Sequence, residues 1–128
     1  MHVLLDAAER LQAVCIEQSS WQECLRRYDA PGTLFYLAPP YFAGACGRSW
    51  ERYVHDMPTA ADHEELLAAV LSLQGIVILS GYHSALYGSA LAGWSVVEIA
   101  ARDAHNNART EVLWLSPRCA MAQRRLWP

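Results

Sequence analysis

Apolar positions fall into two rhythms along the 128 residues. Short unbroken runs, Ala13–Ile16, Thr33–Leu37 and Ile76–Leu79, have the length and the aromatic or β-branched character of strands. Trp94 to Ala101 and Glu111 to Leu115 read as two further strands, joined by the polar stretch Arg102 to Thr110. Between these runs the spacing becomes helical. Leu4, Leu5, Ala8 and Leu11 recur on one face, and Ser20 followed by Glu23 supplies a capping box for Trp21 to Tyr28. Asp29-Ala30-Pro31-Gly32 is a turn that ends that helix. The clearest helix starts at Pro58-Thr59, with Thr59 as cap and Asp62, Glu64 and Glu65 in its first turns. Its apolar face is Leu66, Leu67, Val70, Leu71 and Leu73, and Gly75 closes it. A shorter helix covers Ala85 to Leu91, while residues 38–57 show no periodicity.

This alternation predicts an α/β fold with a mostly parallel sheet flanked by helices. The two closing strands suit an antiparallel pair at the C-terminal edge of the sheet. Ile76–Leu79 is continuously apolar, as expected of a strand covered on both faces. Residues 1–117 then form one folded unit, and 118–128 a short irregular tail.

Composition narrows the class only a little. The chain is 53% hydrophobic and 18% charged, which is globular rather than disordered. A net charge of -3 provides no basic footprint, so strong nonspecific affinity for nucleic acid is not expected. All ten basic residues are arginines, which reflects either a GC-rich genome or phosphate recognition. Cys15, Cys24, Cys46 and Cys119 form no close pair, and nothing at the N-terminus reads as a signal peptide. The longest apolar runs are too short for a bilayer, so the expectation is a soluble cytoplasmic chain with no membrane partner.

The chemistry concentrates where the strand Thr33–Leu37 stops. In Phe35-Tyr36-Leu37-Ala38-Pro39-Pro40-Tyr41-Phe42, two prolines end the strand because neither can donate to a ladder. Tyr41 is thereby presented in a rigid loop at the sheet edge. Alone, Pro-Pro-Tyr fits a turn or a docking motif equally well. Arg48 and Arg52 follow in the loop, placed either to reach phosphates or to form a solvated face. Ser80 and Tyr82 lie just past the Ile76–Leu79 strand, at the end where doubly wound sheets place ligands. His55, His63, His83 and His105 lack metal-ligand spacing and read as surface or helix-end residues. Trp94 and Trp114 read as core.

The order of these segments carries more weight than any one of them. Ile16-Glu17, Tyr28-Asp29-Ala30-Pro31, Ala38-Pro39-Pro40-Tyr41, His55-Asp56-Met57 and Asp62-His63-Glu64-Glu65-Leu66 follow one another along the chain. Leu79-Ser80-Gly81-Tyr82 and Arg109-Thr110-Glu111-Val112-Leu113-Trp114 complete the set. In this order they resemble the C-terminal catalytic portion of the Dam-like adenine-specific DNA methyltransferases, with alanine where the family signature Asp-Pro-Pro-Tyr has aspartate. The resemblance implies a partial Rossmann-like fold, S-adenosylmethionine as cofactor and DNA as partner. It also implies a flipped adenine whose exocyclic amine meets the methyl donor. By the same resemblance, the signature aspartate (Ala38 here) and the carbonyl of Pro39 accept the amine hydrogens, while Tyr41 stacks on the base. Ser20-Trp21 stands where the family contacts the cofactor adenine through an aspartate and an aromatic. The family's glycine-rich cofactor segment and its central strands would lie upstream of Met1. The resemblance therefore leads to the expectation of a chain that is inactive alone. Either a complementary N-terminal half or a homo-oligomer would cover its exposed apolar edge. A pseudoenzyme serving as a DNA- or protein-binding module, or a decayed mobile-element remnant, are the other readings.

Overall fold

The computed structural model describes residues 2–42, 57–102 and 106–126. Helices α1 (His2–Leu11) and α2 (Trp21–Tyr28) precede strand β1 (Leu34–Leu37). Helix α3 (Ala60–Ser72), strand β2 (Ile76–Gly81) and helix α4 (Ala85–Ala90) follow. Strands β3 (Ser95–Arg102) and β4 (Ala108–Leu115) and helix α5 (Pro117–Leu126) complete the described chain.

Helices α2, α3 and α4 begin where the sequence supplies an acceptor for the orphan amides of the first turn. Ser20 caps α2 through the Glu23 amide, and Ser84 caps α4 through the Tyr87 amide. Thr59 caps α3 in a full capping box, because the Asp62 carboxylate accepts the Thr59 amide in return. His63, Leu66, Leu67 and Val70 recur at three- and four-residue spacing and form the buried stripe of α3. Together with Phe35, Val77, Leu79, Tyr87, Leu91, Val112 and Trp114, the leucines and valine of that stripe make one core. Full burial of aliphatic side chains such as Leu67 and Leu79 contributes roughly 1.5–3 kcal/mol each.

The four strands lie in the order β1-β2-β4-β3. β1 and β2 are parallel, with Leu34 opposite Ile76 and Leu37 opposite Leu79. β4 runs antiparallel to both β2 and β3. The expected antiparallel pair at the C-terminal edge is present, but the sheet is not mostly parallel. β4 returns between β2 and β3, so only one of the three pairings is parallel even though β1, β2 and β3 point the same way.

Three further expectations are corrected. Ala13–Ile16 is not a strand: it is exposed along its length, with Ile16 85% accessible, and among the described residues no strand pairs with it. β-propensity expresses itself only against neighbouring strands. Residues 118–126 belong to α5 rather than an irregular tail. Pro117 occupies its first position, where the missing amide costs nothing, and Ala, Met, Gln and Arg are good helix formers. Finally, the sheet is not covered on both faces. Leu34 and Tyr36 on β1 are 58% and 62% exposed, and Ile76 and Ile78 are only half-buried.

Side chains lock the start of the parallel pair. The Asp29 carboxylate accepts the Gln74 and Gly75 amides at 2.9 and 3.0 Å, and the Ile76 amide donates to the Thr33 carbonyl at 2.8 Å. Ser116 Oγ accepts the Val77 amide at 3.0 Å. A methyl group on Gly75 would lie 2.9 Å from the Thr33 carbonyl oxygen, so only glycine permits this approach. We expect Asp29→Ala to lower unfolding stability by about 1–3 kcal/mol in urea titrations, because two turn amides lose their acceptor. An unchanged midpoint would show that water replaces the carboxylate without loss.

Candidate functional site

Parallel pairing sends the chain out of β1 and β2 at the same edge. Leu37, the last residue of β1, is opposite Leu79. β2 runs on to Gly81, so Ser80 lies within β2 rather than past it. Pro39-Pro40-Tyr41-Phe42 comes beside Ser80-Gly81 and the following Tyr82. Ser80 Oγ donates to the Leu37 carbonyl at 3.3 Å and ties the two exits together. These segments and Tyr87 of α4 line a small hollow. Over it the rings of Tyr41 and Tyr82 pack with centroids 4.4 Å apart and planes tilted by 36°. Tyr41 remains 46% exposed. Partial burial raises its hydroxyl above the ordinary tyrosine value, and the nearby Glu111 carboxylate adds to the rise.

Beneath the hollow sits a polar pair that the sequence did not announce. His63 is fully buried, not a surface or helix-end residue, because it occupies the core-facing stripe of α3. Its Nε2 lies 3.0 Å from the Met57 carbonyl, which can only accept, so Nε2 carries a proton. In the neutral ring, Nδ1 is then an acceptor, and it takes the Tyr87 hydroxyl proton at 2.8 Å. Burial pushes the Tyr87 hydroxyl up to about 12. Phe42 packs against the same imidazole, with centroids 5.0 Å apart. Histidine at a core-facing helical position was the available signal, since a buried imidazole requires partners on both nitrogens.

The remaining sequence candidates are spread out. Pro39, Pro40, Tyr41, Ser80 and Tyr82 come together at the hollow. Ala38 is exposed at the end of β1, with only a methyl group to offer. Cys46, Arg48, Arg52, His55 and His105 lie outside the described residues. Ser20 and Trp21 do not line the hollow: the Ser20 hydroxyl caps α2, and Trp21 packs half-buried against the core.

Other resemblance segments also have structural roles. Glu17 accepts the Tyr28 hydroxyl at 2.6 Å and the Arg27 guanidinium at 2.8 Å. The Tyr28 hydrogen bond is the main cause holding its carboxyl below the usual range. His83 is exposed and pairs with Glu98 at 2.7 Å. Trp114 is buried as expected, with its indole N–H unpartnered among the described residues. Cys15, Cys24 and Cys119 are free thiols. Among the described residues no cluster of three His, Cys, Asp or Glu side chains could hold a metal. Nor is any described helix long and apolar enough to cross a membrane.

No family model matches this chain, and no curated protein matches it in sequence.

The Tyr87 shift sets a pH dependence. Its folded value exceeds the unfolded value of about 10, so the unfolded chain releases this proton first. The contribution is present below pH ~10 and is lost as pH rises toward 12. Urea midpoints measured at pH 8 and pH 11 are expected to fall further for the wild type than for Tyr87→Phe. Equal falls would remove Tyr87 as their cause.

Proposed function

We propose that this chain is the base-binding portion of a Dam-like adenine-specific DNA methyltransferase, and that it holds a flipped adenine without activating it. The observation that carries the reading is the pair of parallel strand ends. One delivers Pro39-Pro40-Tyr41, the other Ser80-Gly81-Tyr82, and the two tyrosine rings meet over one hollow. That is the placement the resemblance asks of a stacking tyrosine beside a proline carbonyl. The antiparallel β3–β4 pair at the C-terminal edge is likewise what a partial Rossmann-like sheet would have.

The chemistry of amine methylation explains why binding and transfer part company here. The exocyclic amine of adenine is a poor nucleophile because its lone pair is conjugated into the ring. Accepting its hydrogens at two points favours the pyramidal, nucleophilic form. The Pro39 carbonyl is one such acceptor; the carboxylate that would be the other is replaced by Ala38. Loss of a charged hydrogen bond costs roughly 1.5–3 kcal/mol. Loss of an electrostatic group aimed at a transition state slows reaction by about 100–1000-fold. Ser20 caps α2, Trp21 packs half-buried against the core, and neither lines the hollow. The reading is therefore of a pseudoenzyme-like binding module rather than a working transferase.

Two measurements test this. A duplex with adenine opposite an abasic site is expected to bind, and Tyr41→Ala to weaken it about 5–150-fold, since base–aromatic stacking is worth ~1–3 kcal/mol. Unchanged affinity would show that Tyr41 is no stacking platform. Separately, transfer of labelled methyl from S-adenosylmethionine to that duplex is expected with neither the wild type nor Ala38→Asp. Incorporation by Ala38→Asp would show that the chain supplies its own donor site and that Ala38 is the single obstacle.

A further inference from the structure

The sheet has two faces with unequal cover. On one, Phe35, Val77, Leu79, Val112 and Trp114 are buried in the core. The strand register puts Leu34, Tyr36, Ile76, Ile78, Leu113 and Val97 on the other, each half-buried or exposed. Over the length of β2 that face is apolar apart from Ser80 and Ser95. An apolar sheet face is stable only against a second layer, and a helix is the usual cover. The chain holds a helix with the matching deficit. On α1, Leu4, Leu5, Ala8 and Leu11 form one stripe, with Asp6, Glu9 and Arg10 on the opposite side. Every residue from Leu4 to Leu11 is exposed, so this stripe is buried nowhere in its own chain.

The connection to α2 keeps α1 off its own open face. Leu25 of α2 belongs to the core, and Gln22 donates to Glu65 of α3 at 3.1 Å, so α2 lies on the covered side. Glu17 is fastened to the end of α2 by Tyr28 at 2.6 Å and Arg27 at 2.8 Å. Before it, the Val14 amide donates to the Leu11 carbonyl at 3.0 Å and extends the last turn of α1. From Val14 to Glu17 the chain spans at most about 10 Å. Crossing from the layer above the sheet to the layer below takes roughly 20 Å, two packed layers.

We infer that α1 covers the open sheet face of a second copy, two chains exchanging their N-terminal helices about a two-fold axis. Such an exchange is self-complementary, as a closed dimer requires. Given the exposure of Leu4, Leu5, Leu11, Leu34 and Tyr36, each helix-on-sheet contact buries on the order of 700 Å². The pair then buries ~1,400 Å², inside the roughly 1,200–2,000 Å² of stable interfaces. Neither α1 nor this face lines the strand-end hollow, so the inference stands independently of the base-binding reading.

The test is the mass of the full chain by sedimentation velocity across a micromolar concentration range, with far-UV circular dichroism reporting the fold. A dimer is expected. Leu5→Lys on α1 and Tyr36→Glu on the sheet each put a charge into the apolar contact, and the two-fold axis enters each twice. Each variant is expected to keep its fold and to dimerise about 100-fold more weakly, at ~10-fold per contact. Mixed in equal amounts, the two variants are expected to dimerise again. One contact of the mixed pair has both wild-type surfaces, and the other sets the new lysine against the new glutamate. Ile99→Glu, on the same face of β3, replaces Tyr36→Glu if the edge strand does not tolerate the charge. A wild-type chain that stays monomeric overturns the inference. So does a dimer that survives either substitution, which places the contact elsewhere. Two monomeric variants that fail to recombine overturn the exchange.

Discussion

Parallel pairing of β1 with β2 is the constraint from which the rest of the molecule follows. Only a parallel pair sends both chains out at the same edge, and in this register Pro39-Pro40-Tyr41 comes beside Ser80-Gly81 at the end of β2 and the following Tyr82. The pair is expensive in loop entropy, because its connection must cross back over the sheet. The chain meets that cost with α3, whose apolar stripe caps the core, and with a set of backbone locks at the start of the strands. Asp29, Thr33 and Ser116 each take or give a hydrogen bond to residues 74–77. Gly75 lets the two backbones approach.

A buried polar pair ties that core to the strand-end hollow. Burying a histidine without partners costs several kcal/mol, and Met57 and Tyr87 meet both ring nitrogens of His63. The same bonds orient Tyr87, which forms one wall of the hollow. Stability and site geometry are therefore not separable at this point. A change at His63 alters the core and the wall together.

The uncovered side of the structure has a different physical character. Tyr36 and Leu34 on β1, Val97 and Ile99 on β3, and Leu4, Leu5 and Ile16 before the sheet are all large, apolar and accessible. β1 is also an edge strand with no charged residue between Thr33 and Ala38. Edges of this kind are normally blunted by charge, bulges or a covering element. Here the prolines after Ala38 limit the length of the edge, but nothing in β1 opposes pairing.

How much of this was legible in the linear sequence depended on whether the deciding interaction was local. Capping by Ser20 and Thr59, the stripe of α3 and the proline stop after Leu37 all depend on residues a few positions apart. They were readable for that reason. The insertion of β4 between β2 and β3 was not, because strand order is set by which apolar faces share a core, not by sequence order. Ala13–Ile16 had the composition of a strand, but among the described residues no strand pairs with it, and it stayed exposed. α5 lacks an apolar stripe strong enough to announce itself, and Cys119 and Ser116 anchor it to β2 through contacts about 40 residues distant. His63 shows the limit most plainly. Its position on the buried face was determined by helical spacing alone, whereas its role needed Tyr87 and Met57 brought to opposite sides of one ring, which only the packed structure does.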